Sequence, residues 1–490
     1  MGTHAFSQVE AMVRERLASS ALPSLAVAVA RDGEVLWEAA WGWASRERRI
    51  PATPHTLYSL ASISKPITAT GVMLLKERGK VDLDAPIDDY LGEAKLRAWV
   101  GDAKDATVRR IASHSAGLHT HCQFFYADEP HRPPSMEETV RRYGHIVHPP
   151  GQRRVYCNLG YGLLDTLISR HSGKPYADLM REDVFLPLGL THTSVDIGLG
   201  LEPYAAERYG ADGIAYPFYE FDHPGGSAVY SSAHDLLRFG MFHLGNRLPE
   251  QAALLSPESL EEMRRLVPAE QEPFGYGVGW YVKADECGYP VVYHGGGMGG
   301  VNTILKLVPS ERIAVVALCN ACTDLPFEAA AEMLAVLLPD YAERREREQA
   351  EAAQTASKEG PTQAAPPPAE AVGEWKGIVH TYDGDLPFSL RVKPDGDLHA
   401  RIGEDLPALV NEATWEGGQL TGVMVGDLRT EDVRRWSCRL HLDLTLRGNS
   451  LSGAVLAVHH QDAQQGGAPG RRLGNAISHW AELKREGAGS

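Results

Sequence analysis

Basic residues are in the minority in this chain. Lys and Arg number 48 against 64 Asp and Glu, a formal net charge of −16 over 490 residues, and no long basic block occurs. The electrostatic footprint that a phosphate backbone demands is missing, which excludes nucleic acid as a partner. Long hydrophobic runs are missing too. No apolar stretch is long enough to span a bilayer, and the segment Met1 to Glu10 has neither the basic region nor the apolar core of a secretory leader. Phe6 stands where a myristoylation signal wants Ser or Thr. The expectation is a soluble, cytoplasmic protein with no membrane partner. Cysteine is sparse: six residues, Cys122, Cys157, Cys287, Cys319, Cys322 and Cys438, make no disulfide framework in so long a chain. Cys319 and Cys322 have the spacing of half a zinc site, but no second pair accompanies them. They read as structural thiols after an apolar strand over 313–318, and neither a metal nor a cofactor is expected.

What the chain does have is Ser62-Ile63-Ser64-Lys65. Residues three apart on a helix share a face. A serine hydroxyl is a weak nucleophile at neutral pH and needs a neighbouring group to take its proton, and Ser-x-x-Lys is one way to supply it. Alone, the tetrapeptide fits a helix start followed by a solvated lysine equally well. The following run, Ile67 to Leu75, carries no charge and reads as a helix buried on most of its surface. Burial would also depress the lysine pKa toward the range of a general base.

At 490 residues the chain exceeds what one core usually organises. The expected division is a domain over 1–340, a linker over 341–372, charged and then rich in Pro and Ala, and a second domain over 373–490. The first domain is of the mixed α/β (α+β) class. A helix over 8–17 and a hairpin over 24–30 and 35–42 open it, strands over 277–282, 291–294, 303–308 and 313–318 close it, and helices dominate between. One antiparallel sheet built from both ends, with a helical subdomain inserted, follows. Beyond the linker, short alternating runs over 377–382, 386–392, 398–402, 420–425, 439–446 and 451–458 suggest a small antiparallel barrel.

Two further constellations belong with the Ser-Lys pair. Tyr156-Cys157-Asn158 follows a turn; if extended, it points a phenol and an amide the same way, the phenol able to work as a base beside an ammonium and the amide able to hold a substrate amide. His294-Gly295-Gly296-Gly297, at the end of a strand, would let a substrate lie close to the backbone and let a bare N–H face a developing oxyanion.

Together, Ser62-x-x-Lys65, Tyr156-x-Asn158 and His294-Gly295-Gly296 resemble the three-motif signature of the penicillin-recognising serine hydrolases, which include class C β-lactamases, D,D-peptidases, D-aminopeptidases and related esterases. His114-Ser115-Ala116-Gly117-Leu118, Pro187-Leu188-Gly189-Leu190 and Phe274-Gly275-Tyr276-Gly277-Val278-Gly279-Trp280 are similar to further segments of that group. The resemblance implies a β-lactamase/transpeptidase-like fold and a Ser62 acyl-enzyme. It also implies proton transfer shared by Lys65 and Tyr156, substrate amide binding by Asn158, assistance from His294, and an oxyanion hole from the N–H groups of Ser62 and Gly297. Gly295 and Gly296 would lie along the substrate. The segment from about residue 373 looks like the lipocalin-like barrel that some D-peptidases carry, either restricting the mouth of the site or supporting a homo-oligomer.

His294-Gly295-Gly296, where β-lactamases resemble Lys-Thr-Gly, argues against efficient antibiotic hydrolysis, and Asn158 leans toward small-molecule or peptide amides, with esters as a side activity. The alternatives are a penicillin-binding-protein-type thioesterase or peptide cyclase, a promiscuous carboxylesterase with weak β-lactamase activity, and a non-catalytic scaffold. His121, Phe124 and Tyr126 are expected on the wall of the substrate pocket, because His119-x-His121 lacks a carboxylate and is no metal site by itself. Trp375, Trp415, Trp436 and Trp480 are expected to pack the barrel core.

Overall fold

The computed structural model describes residues 3–246, 248–271, 274–358, 366–459 and 472–486. A seven-stranded antiparallel sheet is built from both ends of the first 340 residues: β1 (Ser24–Arg31), β2 (Glu34–Ser45), β3 (Ile50–Pro51), β4 (Tyr281–Glu286), β5 (Tyr289–Met298), β6 (Val301–Val308) and β7 (Ile313–Cys319), in the order β4-β5-β6-β7-β1-β2-β3. Side chains alternate across a strand, and in β1 the alternation divides two cores. Leu25, Val27 and Val29 join one cluster with helices α1 (Ser7–Ser19) and α5 (Leu325–Leu337); Ala26, Ala28 and Ala30 join the other with α2 (Ser64–Glu77), α3 (Asn158–Ser172) and α4 (Ala233–His243). Both faces are covered, so the central strands carry no polar face.

The second cluster holds the functional half of the molecule. Every residue of α2 from Ser64 to Leu75 is buried, as the uncharged run requires. Two glycines make this packing possible. A Cβ on Gly279, which has φ +88°, would lie 2.7 Å from the Ala69 Cβ; one on Gly296 would lie 2.1 Å from the Leu60 carbonyl oxygen and 2.4 Å from Thr303 Oγ1. The missing side chain of Gly296 therefore lets β5 lie against the turn that carries Ser62.

The strand expected from residue 277 begins instead at Tyr281. Residues 277–280 close a turn, with the Gly277 N–H bonded to the Trp280 carbonyl, because the left-handed Gly279 takes the chain over α2. The charged start of the expected linker is a helix, α6 (Tyr341–Lys358). Residues 359–365 of the expected linker lie outside the described residues.

Residues 373–459 and 476–485 form a nearly closed nine-stranded antiparallel barrel, as a lipocalin-like module requires: β8 (Gly373–Thr381), β9 (Gly384–Val392), β10 (Leu398–Ile402), β11 (Ala408–Leu409), β12 (Asn411–Glu416), β13 (Gln419–Met424), β14 (Cys438–Arg447), β15 (Ser450–His459) and β16 (Ala476–Arg485), ordered β11-β10-β9-β8-β16-β15-β14-β13-β12. Of the four tryptophans expected in its core, Trp375 and Trp415 are there. Trp480 points outward and stacks on Trp99, with ring centroids 5.6 Å apart, and Trp436 packs beside Tyr126. The outer face of β15 and β16 thus docks against the first half of the chain. Cys122 and Ala476 exchange two backbone hydrogen bonds of 2.8 and 2.9 Å across this junction, and Arg472 pairs with Asp128.

Candidate active site

Ser62 sits on a short 3-10 turn, Ala61–Ile63, that runs into α2. Ala61 has φ +49°, a left-handed conformation that costs a non-glycine residue energy and is held only by its surroundings. Ser62 is half-buried and reachable, whereas Lys65, one turn later, is 0 % exposed.

The Lys65 Nζ donates to three oxygens: Asn158 Oδ1 at 2.6 Å, the Gly226 carbonyl at 2.9 Å and Ser62 Oγ at 3.2 Å. Neither the Asn158 nor the Gly226 oxygen can donate, so both keep an N–H of Lys65 whether it is charged or neutral. When the amine loses a proton, its lone pair faces the third partner, and the bond reverses so that the Ser62 hydroxyl donates. Burial pushes the Lys65 pKa down to about 7, because an ammonium without a carboxylate is poorly solvated there. The same 2.6 Å bond occupies the Asn158 oxygen, leaving its NH2 group as what it offers a substrate.

Asn158 is the first residue of α3, and Tyr156 lies in the loop just before it. The motif is thus a loop running into a helix, and it still brings both side chains to the Ser-Lys pair. The Tyr156 ring lies 4.7 Å from Lys65 Nζ. Burial raises its phenol well above 10, and a hydrogen bond with Ser62 pulls in the other direction, so the phenol is protonated in the free protein. His114 holds this loop. Its carbonyl accepts the Val155 N–H at 2.9 Å, its Nδ1 accepts the Cys157 N–H at 3.2 Å, and its ring packs on Tyr156 at 4.3 Å.

His294 closes the other side. Its Nδ1 donates to the Gly295 carbonyl at 2.7 Å, so its Nε2 is the acceptor of the Tyr276 hydroxyl at 2.8 Å. Burial, with Lys65 nearby, pushes His294 down to about 3: the imidazole is neutral, and both nitrogens are occupied. Beyond it β5 has an open edge. Pairing with β4 stops at Tyr293, while pairing with β6 continues to Met298. Along that edge Gly297 is exposed between buried neighbours, a strand backbone open to an extended ligand.

The structure therefore brings together Ser62, Lys65, Tyr156 and Asn158, with His294 and Gly295 to Gly297 beside them. It packs the three residues expected on the pocket wall differently. His121, Phe124 and Tyr126 are 1, 5 and 0 % exposed; Phe124 and Tyr126 belong to an apolar cluster with Tyr219, Phe221 and Leu473, and His121 bonds to Asp222. These contacts come from residues far away in sequence. Gly226, His114 and Tyr276 were given no role by sequence reasoning. The last two stand in segments that were singled out, but nothing around Pro224-Gly225-Gly226 signals a carbonyl aimed at a lysine.

A family model described as "Beta-lactamase" matches residues 9–338, which contain Ser62, Lys65, Tyr156, Asn158 and His294. Penicillin-binding protein 4* of Bacillus subtilis is 27 % identical over 327 residues, covering 62 % of this chain and 69 % of its own. Two solved structures align over nearly the whole length, barrel included. SurE with D-Leu has a TM-score of 0.61 at 22 % identity, covering 99 % of this chain and 100 % of that one. The octameric penicillin-binding protein homologue from Pyrococcus abyssi has a TM-score of 0.59 at 21 % identity, covering 98 % and 99 %. The site geometry and the match over more than half of the sequence agree: the chain belongs to the beta-lactamase family of serine hydrolases.

Proposed function

We propose that this protein hydrolyses small amide, peptide or ester substrates through a Ser62 acyl-enzyme, with peptides of D-residues as the favoured class. The observation that carries the reading is the buried Lys65 amine, with two N–H groups tied to fixed acceptors and its third position on Ser62 Oγ at 3.2 Å. Neutral Lys65 takes the Ser62 proton as Oγ attacks the substrate carbonyl carbon. The carbonyl oxygen becomes an oxyanion facing the N–H groups of Ser62 and the exposed Gly297, donors that typically contribute roughly 2.7–4 kcal/mol each. Tyr156, protonated and next to both Ser62 and Lys65, passes a proton to the leaving group as the C–N or C–O bond breaks. Lys65 gives its extra proton to the resulting Tyr156 phenolate, which restores both groups; water then attacks the acyl carbon as neutral Lys65 takes its proton, and that proton passes to Ser62 Oγ as the acyl C–O bond breaks and the acid is released. Asn158 donates its NH2 to the substrate, and His294, neutral and occupied at both nitrogens, shapes the strand side without carrying a proton. The D-residue preference draws support from the D-Leu in the SurE structure, whose fold this chain shares.

Intact-protein mass spectrometry after exposure to penicillin G, p-nitrophenyl butyrate, D-alanine p-nitroanilide and a D-terminal peptidyl thioester tests the reading, with Ser62→Ala as control. A mass increase or product that needs Ser62 supports it, and the preferred member separates peptidase, esterase and cyclase. Turnover that survives in Ser62→Ala, or none with any member, overturns it.

A further inference from the structure

Two His-x-His positions, His119 and His121, each acquire on folding the carboxylate that the sequence around them lacks. His121, Asp222 and His223 form one cluster; His119, His148 and Asp443 form another; within each, the ligand-type atoms lie within 4.8 Å of one another. The two differ in what already occupies the carboxylate. Asp443 carries Arg153 at 2.8 Å on the oxygen that His119 also contacts, and Gln419 at 2.6 Å on the other. A cation is in place there, and a metal ion would be repelled by it.

Asp222 has no such partner. One of its oxygens accepts from His121 Nε2 at 2.7 Å and from the Gln123 amide at 3.0 Å; the other accepts from His223 Nδ1 at 2.6 Å. His121 and His223 are each 1 % exposed and Asp222 is 3 % exposed. We propose that His121, Asp222 and His223 form a binding site for a divalent transition metal of the zinc type. Two imidazoles and a carboxylate are the donor set of known zinc sites. Four-coordinate zinc with bonds of about 2.0–2.1 Å spaces its ligands roughly 3.3 Å apart, so the two imidazole–carboxylate hydrogen bonds of 2.7 and 2.6 Å open by about 0.6–0.7 Å as the ion replaces their protons, and no other pair closes by more than about 1.5 Å from the 4.8 Å limit. His121 can change role. His121 Nδ1 has no hydrogen-bond partner, so no second residue holds its Nε2 in the donor state, and the proton moves to Nδ1 as Nε2 becomes a ligand. Gln123 remains on the carboxylate as outer support.

Next to the cluster lies a cavity of about 350 Å³, lined by Asp222 together with Asp165, Asp196 and Glu220; the Asp222 carboxylate and both imidazoles are themselves buried, so a cation drawn to this acidic side would reach them through a local opening. None of Ser62, Lys65 and Tyr156 belongs to the ligand cluster, so the ion would not sit on the nucleophile. The two are joined through the chain. His223 is three residues from Gly226, whose carbonyl holds Lys65, and the intervening Gly225 N–H is held by Asp165 at 2.7 Å. An ion at His223 would anchor the loop that sets the lysine.

The test uses the full chain, stripped with a chelator and titrated with Zn2+ alone by calorimetry and elemental analysis; visible d–d bands with Co2+ report the coordination. The expected result is one equivalent per chain and a higher thermal midpoint. His223→Gln and His121→Asn should each take the stoichiometry from one to zero, while His119→Gln should leave it at one. Absence of stoichiometric binding by the wild-type chain overturns the proposal whether or not the variants fold. So does binding that survives both ligand substitutions, or that is lost in His119→Gln. Ser62→Ala should bind Zn2+ like the wild type, which keeps the outcome independent of the proposed hydrolysis.

Discussion

Lys65 and Arg208 are both buried cations of the catalytic half, and neither takes part in an ion pair among the described residues; burial pushes both pKa values down, yet the outcomes are opposite. Lys65 meets three oxygens and gives up its proton near pH 7. Arg208 meets aromatic faces, with its guanidinium 3.4 Å from the Tyr219 ring centroid and 5.1 Å from that of Phe218, and the downward push of burial is outweighed by the surrounding tyrosines, so its pKa ends raised. A guanidinium delocalises its charge and stacks; an ammonium is a compact, strongly hydrated point that burial readily neutralises. Loss of solvent alone does not make a base. It makes one of an amine whose remaining partners leave a lone pair on a nucleophile.

Replacing Lys65 breaks the comparison most severely. Lys65→Arg and Lys65→Ala should lose kcat/KM for p-nitrophenyl butyrate alike, by about 10²–10⁴-fold, because the arginine keeps the charge and cannot act as the base. Arginine activity within tenfold of wild type would mean that the cation, not the base, does the work. Titration of the wild type is the next largest effect. The neutral amine is the active form and its pKa is depressed to about 7, so kcat/KM should be flat above that pH and fall tenfold per pH unit below it; a profile flat down to pH 5 would remove Lys65 from the role. Tyr276→Phe should be milder. It deprives His294 Nε2 of its donor, at a cost of about 1–3 kcal/mol in stability, with less than tenfold loss of ester turnover and the same pH midpoint. A shifted midpoint would show that His294 titrates with the lysine. Arg208→Met should do least. It removes a buried charge and strands no paired carboxylate, so the urea midpoint should move by no more than about 1 kcal/mol equivalent and the acid limb not at all. A displaced acid limb would couple the two cations.

The catalytic half was largely legible in the sequence, because its chemistry rests on short-range signals. Ser62 and Lys65 are one turn apart on a helix whose charge-free run announced its burial, and the hairpin over β1 and β2 carries its turn at Asp32-Gly33. Long-range partners were invisible. The carboxylate for His121 comes from 101 residues away, and the carbonyl for Lys65 from 161. The barrel shows the other limit. Strand β16 was missed because alternation fails where both faces are buried: Ile477, Ala481 and Leu483 point into the core, while Ala476 and Trp480 pack on the first half of the chain. Strand β11 has only two residues, and β12, with its irregular pairing next to Asn411 and mostly exposed residues, carries no alternation to read.

The two backbone hydrogen bonds between Cys122 and Ala476 bear on how freely this protein can change over time. A main-chain pairing is blind to side-chain identity, so residues at the junction can be exchanged by point mutation without unfastening the barrel there. The exception is proline at either position, which abolishes a donor. Surface loops of the barrel and the substrate cleft can therefore diversify separately while the fastening persists, a latitude that an attachment made of matched charges alone would deny them.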